Sequence, residues 1–206
     1  MGGGYGEYIT PSDAECEKIK KRFEIGAEPF FAYTGNIEPR KNIVTILKAF
    51  EIACDRLDNA VSLVLAGKLG WRTQPIIEAI EHNKYKDRIY LPGYISEDEK
   101  KYLMHDACAF VFPSNYEGFG IPIVEAMSCG GVVITADNSS LKEVGGTTAF
   151  YVQKTDEVVQ LADRMVQCFN LSDAERKKLM ADGKSWASQF SWEKCAQETQ
   201  AVLEQG

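Results

Sequence analysis

Two short stretches hold residues whose types and spacing could do chemistry. The first is Ser114-Asn115-Tyr116-Glu117-Gly118-Phe119-Gly120-Ile121-Pro122-Ile123-Val124-Glu125-Ala126, in which two glutamates flank seven residues. Gly118 and Gly120 let the backbone turn tightly and let a ligand approach the amides around Phe119, Gly120 and Ile121. Pro122 marks the first turn of a helix, whose free N–H groups and dipole favour an anion. Glu125 is expected in that first turn, where it could accept hydrogen bonds from ligand hydroxyls. The second stretch is Tyr33-Thr34-Gly35-Asn36-Ile37-Glu38-Pro39-Arg40-Lys41-Asn42. The chain turns at Gly35, and two adjacent cations, Arg40 and Lys41, arrive at a helix start. Cations there are electrostatically unfavourable on their own, so the pair implies an anion between them. A diphosphate suits it, since Arg offers a fork of donors and Lys a mobile point charge.

Both stretches follow short apolar runs. Phe30–Tyr33, Val61–Ala66, Arg88–Leu91, Ala109–Phe112, Val132–Thr135 and Ala149–Val152 read as strands. Between them lie amphipathic stretches. Ile43, Ile46, Leu47 and Phe50 mark one helix, and Ile76, Ile77 and Ile80 another. Ser96 with Glu99 forms a capping box for a third, running to Ala107. This alternation predicts an α/β fold: a Rossmann-like, doubly wound parallel sheet with right-handed crossovers. In such a sheet ligands bind at the carboxyl ends of the strands. Helices then continue without an intervening strand: Thr155–Asn170, a second capped by Ser172 and Glu175, and a last from Trp192 to Leu203 capped by Ser191. Residues 1–28 read as a tail, Met1–Gly4, and one helix capped by Ser12 and Glu15; residues 29–206 read as one Rossmann-like domain including the C-terminal helices.

The totals narrow the classes. The 206 residues suit one domain, and 45% hydrophobic residues argue against disorder. A net charge of -7 disfavours nucleic-acid binding while leaving room for one local cationic pocket. No apolar run is long enough for a transmembrane segment. The six cysteines are scattered and read as reduced, mostly buried thiols of a cytoplasmic protein. No Cys/His cluster has zinc-ligand spacing, His82 and His105 are far apart, and Glu97-Asp98-Glu99 reads as acidic first-turn residues, so no metal site is expected. A dinucleotide-binding turn would need Gly-x-Gly-x-x-Gly after the first strand, where Gly35-Asn36-Ile37-Glu38 stands instead.

The paired loops, in this order, resemble the C-terminal domain of family 4 glycosyltransferases (glycosyl transferases group 1) of the GT-B fold. Pro92-Gly93-Tyr94-Ile95-Ser96 resembles their loop beside the nucleotide base, and Phe190-Ser191-Trp192-Glu193 the start of their last helix. The resemblance runs from about Phe30 to the end. It implies transfer of a hexose, with retention and without a metal or other cofactor, from a UDP-, GDP- or ADP-sugar in polysaccharide or glycoconjugate biosynthesis. Arg40 and Lys41 would bind the diphosphate, Glu125 the ribose hydroxyls, and Glu117 the transferred sugar. Amides around Gly118, Phe119, Gly120 and Ile121 would touch sugar or phosphate, Gly35 would make the first turn, and Tyr94 would lie near the base. Many family members place their arginine earlier in the first loop, where this chain has Asn36.

The acceptor side of such an enzyme comes from an N-terminal GT-B domain, which 30 or so residues before the first strand are too few to form. The resemblance therefore implies a partner domain, in cis or as a separate chain, without which this chain would be inactive. It also allows the full-length enzyme to be peripheral to a membrane. Trp71 and Trp192 are expected either in the core or on a surface covered by the other domain. The competing reading is a non-catalytic, nucleotide-binding or regulatory subunit of a split glycosyltransferase.

Overall fold

A computed structural model describes residues 12–57 and 61–204; Met1–Gly4 lie outside them. The strands are β1 (Phe30–Thr34), β2 (Ser62–Ala66), β3 (Ile89–Gly93), β4 (Ala109–Phe112), β5 (Val133–Ala136) and β6 (Phe150–Val152). Among the described residues they form one sheet, ordered β3-β2-β1-β4-β5-β6, with every pairing parallel. This is the doubly wound Rossmann-like arrangement expected. β2 follows β1 to one side while β4 joins β1 on the other, so the strand order reverses between β1 and β4. That reversal leaves a crevice at the carboxyl ends of these two strands.

β1, β2, β4 and β5 are buried along their whole length, which is why they read as continuous apolar runs. Phe31 and Tyr33 of β1 face one core with Leu63 and Leu65 of β2. On that side α2 (Ile43–Arg56) packs against α3 (Gln74–Glu81) and α7 (Val158–Phe169), whereas α5 (Ile121–Ser128) packs against α8 (Asp173–Ala187). Phe30, Ala32, Val64 and Ala66 face a second, smaller core. It is closed by Tyr102 and Leu103 of α4 (Glu97–Asp106) and by Phe23 of α1 (Asp13–Phe23). The three Ser–Glu capping boxes form as read, at Ser12/Glu15, Ser96/Glu99 and Ser172/Glu175. Ser191 caps α9 (Trp192–Leu203), none of whose residues is buried.

Several boundaries move. β3 continues through Pro92 to Gly93, because Gly93 pairs with Ala66 across a register shift. α7 begins at Val158 rather than Thr155, after a turn at Asp156. A five-residue helix, α6 (Leu141–Gly145), follows β5 and was not foreseen. Cys54, Cys108, Cys129 and Cys168 are buried, Cys16 is half-buried and Cys195 exposed; none is disulfide-bonded. Trp71 and Trp192 are each 58% exposed, which rules out the core. No helix among the described residues is long and apolar enough to cross a membrane.

Candidate functional site

The loop after β1 runs beside the loop after β2. The Gly35 amide donates to the Ala66 carbonyl at 3.0 Å, Ile37 N–H to Lys68 O at 2.9 Å, and Gly70 N–H to Ile37 O at 2.9 Å. The approach is so close that a Cβ on Gly67 would sit 1.8 Å from the Gly35 carbonyl oxygen, at a φ of +145°. Only glycine fits there. The β1 loop then makes a 3₁₀ turn, Pro39–Lys41, and Asn42 takes a left-handed conformation before α2 begins at Ile43. Arg40 and Lys41 thus lie in the turn that leads into α2, at the helix start where the sequence places them. Pro39 opens the tight turn, and the αL residue after it redirects the chain. The β1 and β4 loops are joined directly, Asn115 N–H donating to Arg40 O at 3.0 Å.

Glu117 is where the two loops meet. Its Oε1 accepts from Lys41 Nζ at 2.6 Å, from Ser114 Oγ at 2.6 Å and from Arg40 Nη1 at 3.2 Å. Arg40 also donates to Glu38 Oε1 at 3.0 Å and to the Tyr116 carbonyl at 2.8 Å. The Lys41 and Glu117 side chains are only 11% and 13% exposed, and Lys41 Nζ lies 5.0 Å from the centre of the Phe112 ring. Burial pushes the Glu117 carboxyl up, but hydrogen bonds from Lys41 and Ser114 and the charges of Lys41 and Arg40 outweigh it, holding the group below the ordinary glutamate value. Burial likewise opposes the Arg40 charge and is outweighed by Glu117 and Glu38. The anion between the two cations is the protein's own carboxylate, Glu117. Tyr33, kept neutral chiefly by burial, donates to the Asn36 carbonyl at 2.8 Å from beneath the loop.

The glycine-rich segment leads into α5. Gly120 is its N-cap in the left-handed region (φ +104°), and a Cβ there would meet Leu141 of α6 at 2.9 Å. No side chain caps this end, in contrast to the serine caps of α1, α4, α8 and α9. The unforeseen α6 matters here. Ser140, its N-cap residue, donates to Phe119 O at 2.8 Å and is 3.1 Å from Glu117 O, so it pins the loop from behind. Asn138 adds hydrogen bonds to the carbonyls of Ser114 and Asn115. A Cβ on Gly118 would meet nothing within 4 Å, so this part of the loop faces open space. The Phe119 ring packs edge-on against Phe190, 5.7 Å between centres, while 42% of the residue stays exposed.

Glu125 is the fifth residue of α5 and lies in its second turn, not the first. Its carboxylate pairs with Lys100 Nζ at 3.0 Å, and Lys100 also holds Glu97 at 2.8 Å. The N-terminal turn of α4 is thereby tied to α5. Tyr94, just before α4, is 71% exposed, with Lys68 Nζ 5.4 Å from its ring centre. His82 and His105 lie elsewhere, beside Glu78 O and Asp106. Among the described residues no group of three His, Cys, Asp or Glu could hold a metal ion.

The structure therefore brings Arg40, Lys41, Glu117, Gly118, Phe119, Gly120 and Ile121 together at the β1/β4 reversal, with Gly35 supporting the first loop. Glu125 and Tyr94 lie toward α4. Sequence reading gave no role to Ser114, Glu38 or Ser140. The first two lie inside the quoted stretches, and their polarity next to the cations was a usable signal. Lys100 and Ser140 carry none.

The family model for "Glycosyl transferases group 1" matches residues 15–186. The chain belongs to this family. It is 34% identical over 193 residues to O-antigen chain mannosyltransferase B of Escherichia coli, covering 94% of this chain and 50% of that protein. It is 29% identical over 192 residues to the serotype-specific mannosyltransferase WbdA of E. coli, covering 91% of this chain and 23% of that protein. The chain thus spans at most about half the length of these relatives. Among solved structures it is similar to a glycosyltransferase from Rickettsia africae ESF-5, with a TM-score of 0.86, 16% identity, and coverage of 99% of this chain and 55% of that one. It is also similar to Anabaena Alr3699/HepE in complex with UDP-glucose, with a TM-score of 0.83, 20% identity, and coverage of 100% and 56%. These likenesses establish the shared GT-B glycosyltransferase domain fold.

Proposed function

We propose that this chain is the donor-binding half of a retaining, metal-independent hexosyltransferase, and that it transfers mannose. The observation that carries the reading is the convergence of Lys41, Arg40 and Glu117 with the side-chain-uncapped start of α5 at the strand reversal. A nucleoside diphosphate leaving a sugar gains negative charge in the transition state. Preorganised cations and helix amides stabilise that charge without reorganising. Lys41 and Arg40 serve as the cations, and the amides of Phe119, Gly120 and Ile121 as the dipoles. On donor binding Glu117 turns from the cations toward sugar hydroxyls, and Glu125 exchanges Lys100 for the ribose. The mannosyltransferase names of the relatives support the choice of sugar. Their greater length supports a second domain that supplies the acceptor.

The test is isothermal titration of this chain with UDP, GDP and ADP, with and without magnesium. One nucleoside diphosphate should bind in the absence of metal, and Lys41→Ala should weaken it while the fold survives. Unchanged affinity in that variant would remove the site assignment. Mannosyl transfer should return only when an N-terminal domain is supplied.

A further inference from the structure

Arg22 lies in the last turn of α1, outside the strand–helix units that form the sheet. Its guanidinium forks. Nη1 pairs with Glu99 Oε1, and Nη2 donates to the Tyr94 carbonyl at 3.1 Å. The other Glu99 oxygen closes the α4 capping box, accepting from Ser96 N–H at 2.8 Å and from Ser96 Oγ at 2.9 Å. One side chain from α1 thus clamps both ends of the Tyr94–Ser96 segment. Arg22 is itself held in place. Phe23 and Ile25 anchor that end of α1 in the second core, and the Arg22 guanidinium lies 5.3 Å from the Phe23 ring centre.

The clamped segment leads into α4, which is tied to Glu125 of α5. Lys100, in the first turns of α4, bridges Glu97 and Glu125. The Gly67 amide donates to the Gly93 carbonyl at 2.8 Å, joining the β2 and β3 loops. The Tyr94 ring stays exposed beside Lys68 while its backbone is tied down from behind. A planar, exposed group with a fixed backbone is preorganised, and preorganisation lowers the ordering cost of binding. The Arg22 hydrogen bonds end on Glu99 and Tyr94, away from the cluster of Lys41, Arg40 and Glu117.

We propose that Arg22 is a positioning residue for the nucleoside end of the donor site, acting through the Tyr94–Ser96 segment and not on the diphosphate. The inference rests on the donor-site reading above. It assigns α1 a function in recognition beyond covering the sheet. It also divides the site into two separable parts: a diphosphate part on the β1 and β4 loops and a nucleoside part governed by α1 and α4.

The experiment compares the full chain with Arg22→Ala and Arg22→Lys. Each is titrated with inorganic pyrophosphate and with the nucleoside diphosphate that the wild type binds best, and each is melted thermally. Arg22→Ala should weaken the nucleoside diphosphate about tenfold, the worth of roughly one charge-assisted hydrogen bond, and leave pyrophosphate unchanged. Arg22→Lys, which can reach one acceptor but not fork to two, should fall between them. Both affinities unchanged in Arg22→Ala would overturn the inference. So would both falling together in Arg22→Lys, the milder variant, since a purely structural role would move them in parallel. Wild-type protein that bound neither probe would overturn the donor-site reading and this inference with it.

Discussion

Replacing Glu117 with glutamine should make the site bind inorganic pyrophosphate more tightly, and nucleotide-sugar less selectively. In the free protein Lys41 Nζ is 2.6 Å from Glu117 Oε1, with Arg40 at 3.2 Å. A phosphate oxygen accepting from the opposite side of Lys41 would lie roughly 5–6 Å from that carboxylate, two hydrogen bonds through one nitrogen. At an effective permittivity of about 20–40, two unit charges at that separation repel by about 1.5–3 kcal/mol. Part of this is offset, because Glu117 also holds Lys41 in a productive place. The net gain on neutralising it should be about 1 kcal/mol, or about fivefold in affinity.

Shape is nearly conserved by the substitution. The glutamine oxygen can still accept from Ser114 Oγ and Lys41, so the loop should keep its conformation. The assay is calorimetric titration of both proteins with pyrophosphate and with the preferred nucleotide-sugar. The ratio of nucleotide-sugar to pyrophosphate affinity should fall in the variant, because an amide oxygen accepts from sugar hydroxyls less strongly than a carboxylate. Weaker pyrophosphate binding would refute the reasoning: Glu117 would then be chiefly an organiser of the cations rather than their competitor.

Other expectations follow from the same geometry. The Glu117 carboxyl is held below its ordinary value, so its stabilising pairing is complete above the unfolded-state glutamate value of about 4.3 and is lost as pH falls through the depressed folded value. The stability gap between wild type and Glu117→Gln, read from denaturant midpoints, should therefore be flat from pH 7 to about pH 5 and close only at lower pH. Glu125→Ala should weaken a nucleoside diphosphate while leaving pyrophosphate almost untouched, since its carboxylate pairs with Lys100 and not with the diphosphate cations; equal losses for both ligands would place it on the phosphates. Gly67→Ala should cost about 3 kcal/mol or more, because the new Cβ would overlap the Gly35 carbonyl in a strained backbone region, and thermal unfolding would reveal it. A normal melting temperature would mean that the β1 and β2 loops separate easily.

Much of this architecture is carried by local pattern. Strands buried on both faces must be apolar throughout, so Phe30–Thr34 and Ala109–Phe112 stand out from polar flanks. The three capping boxes are local too, each needing only a serine and a glutamate three residues on. The two site loops follow because a doubly wound sheet puts the ends of β1 and β4 side by side. What could not be read is pairing at a distance. Lys41 and Glu117 are 76 residues apart, and nothing in either stretch says that the lysine points at the carboxylate instead of at solvent. The Glu125–Lys100 pair is hidden for the same reason. The 3₁₀ turn at Pro39–Lys41 and the αL conformation of Asn42 before α2 could not be read either, because proline and asparagine also occur at ordinary helix starts. α6 escaped notice because five residues are too few for a helical period to register.

The charge balance of this cluster bears on how the proposed donor site would release its product. Arg40 and Lys41 face Glu38 and Glu117, two cations against two carboxylates, so the cluster is formally neutral. A diphosphate entering it meets cations that are already partly satisfied. The rest of its stabilisation must come from the start of α5, where no side chain competes for the amides. This arrangement makes the cations weaker diphosphate binders than two bare charges would be. It would also keep Lys41, only 11% exposed, from being left buried and unpaired when a product departs, a state that costs far more than a surface ion pair contributes. On the donor-site reading proposed above, departure of the sugar would leave Glu117 without hydroxyl partners and able to return to Lys41, where it would compete with the diphosphate for the same ammonium group. Transfer of the sugar and loosening of the nucleotide would then be linked through one carboxylate, so Glu117→Gln should be slower in product release as well as tighter for pyrophosphate.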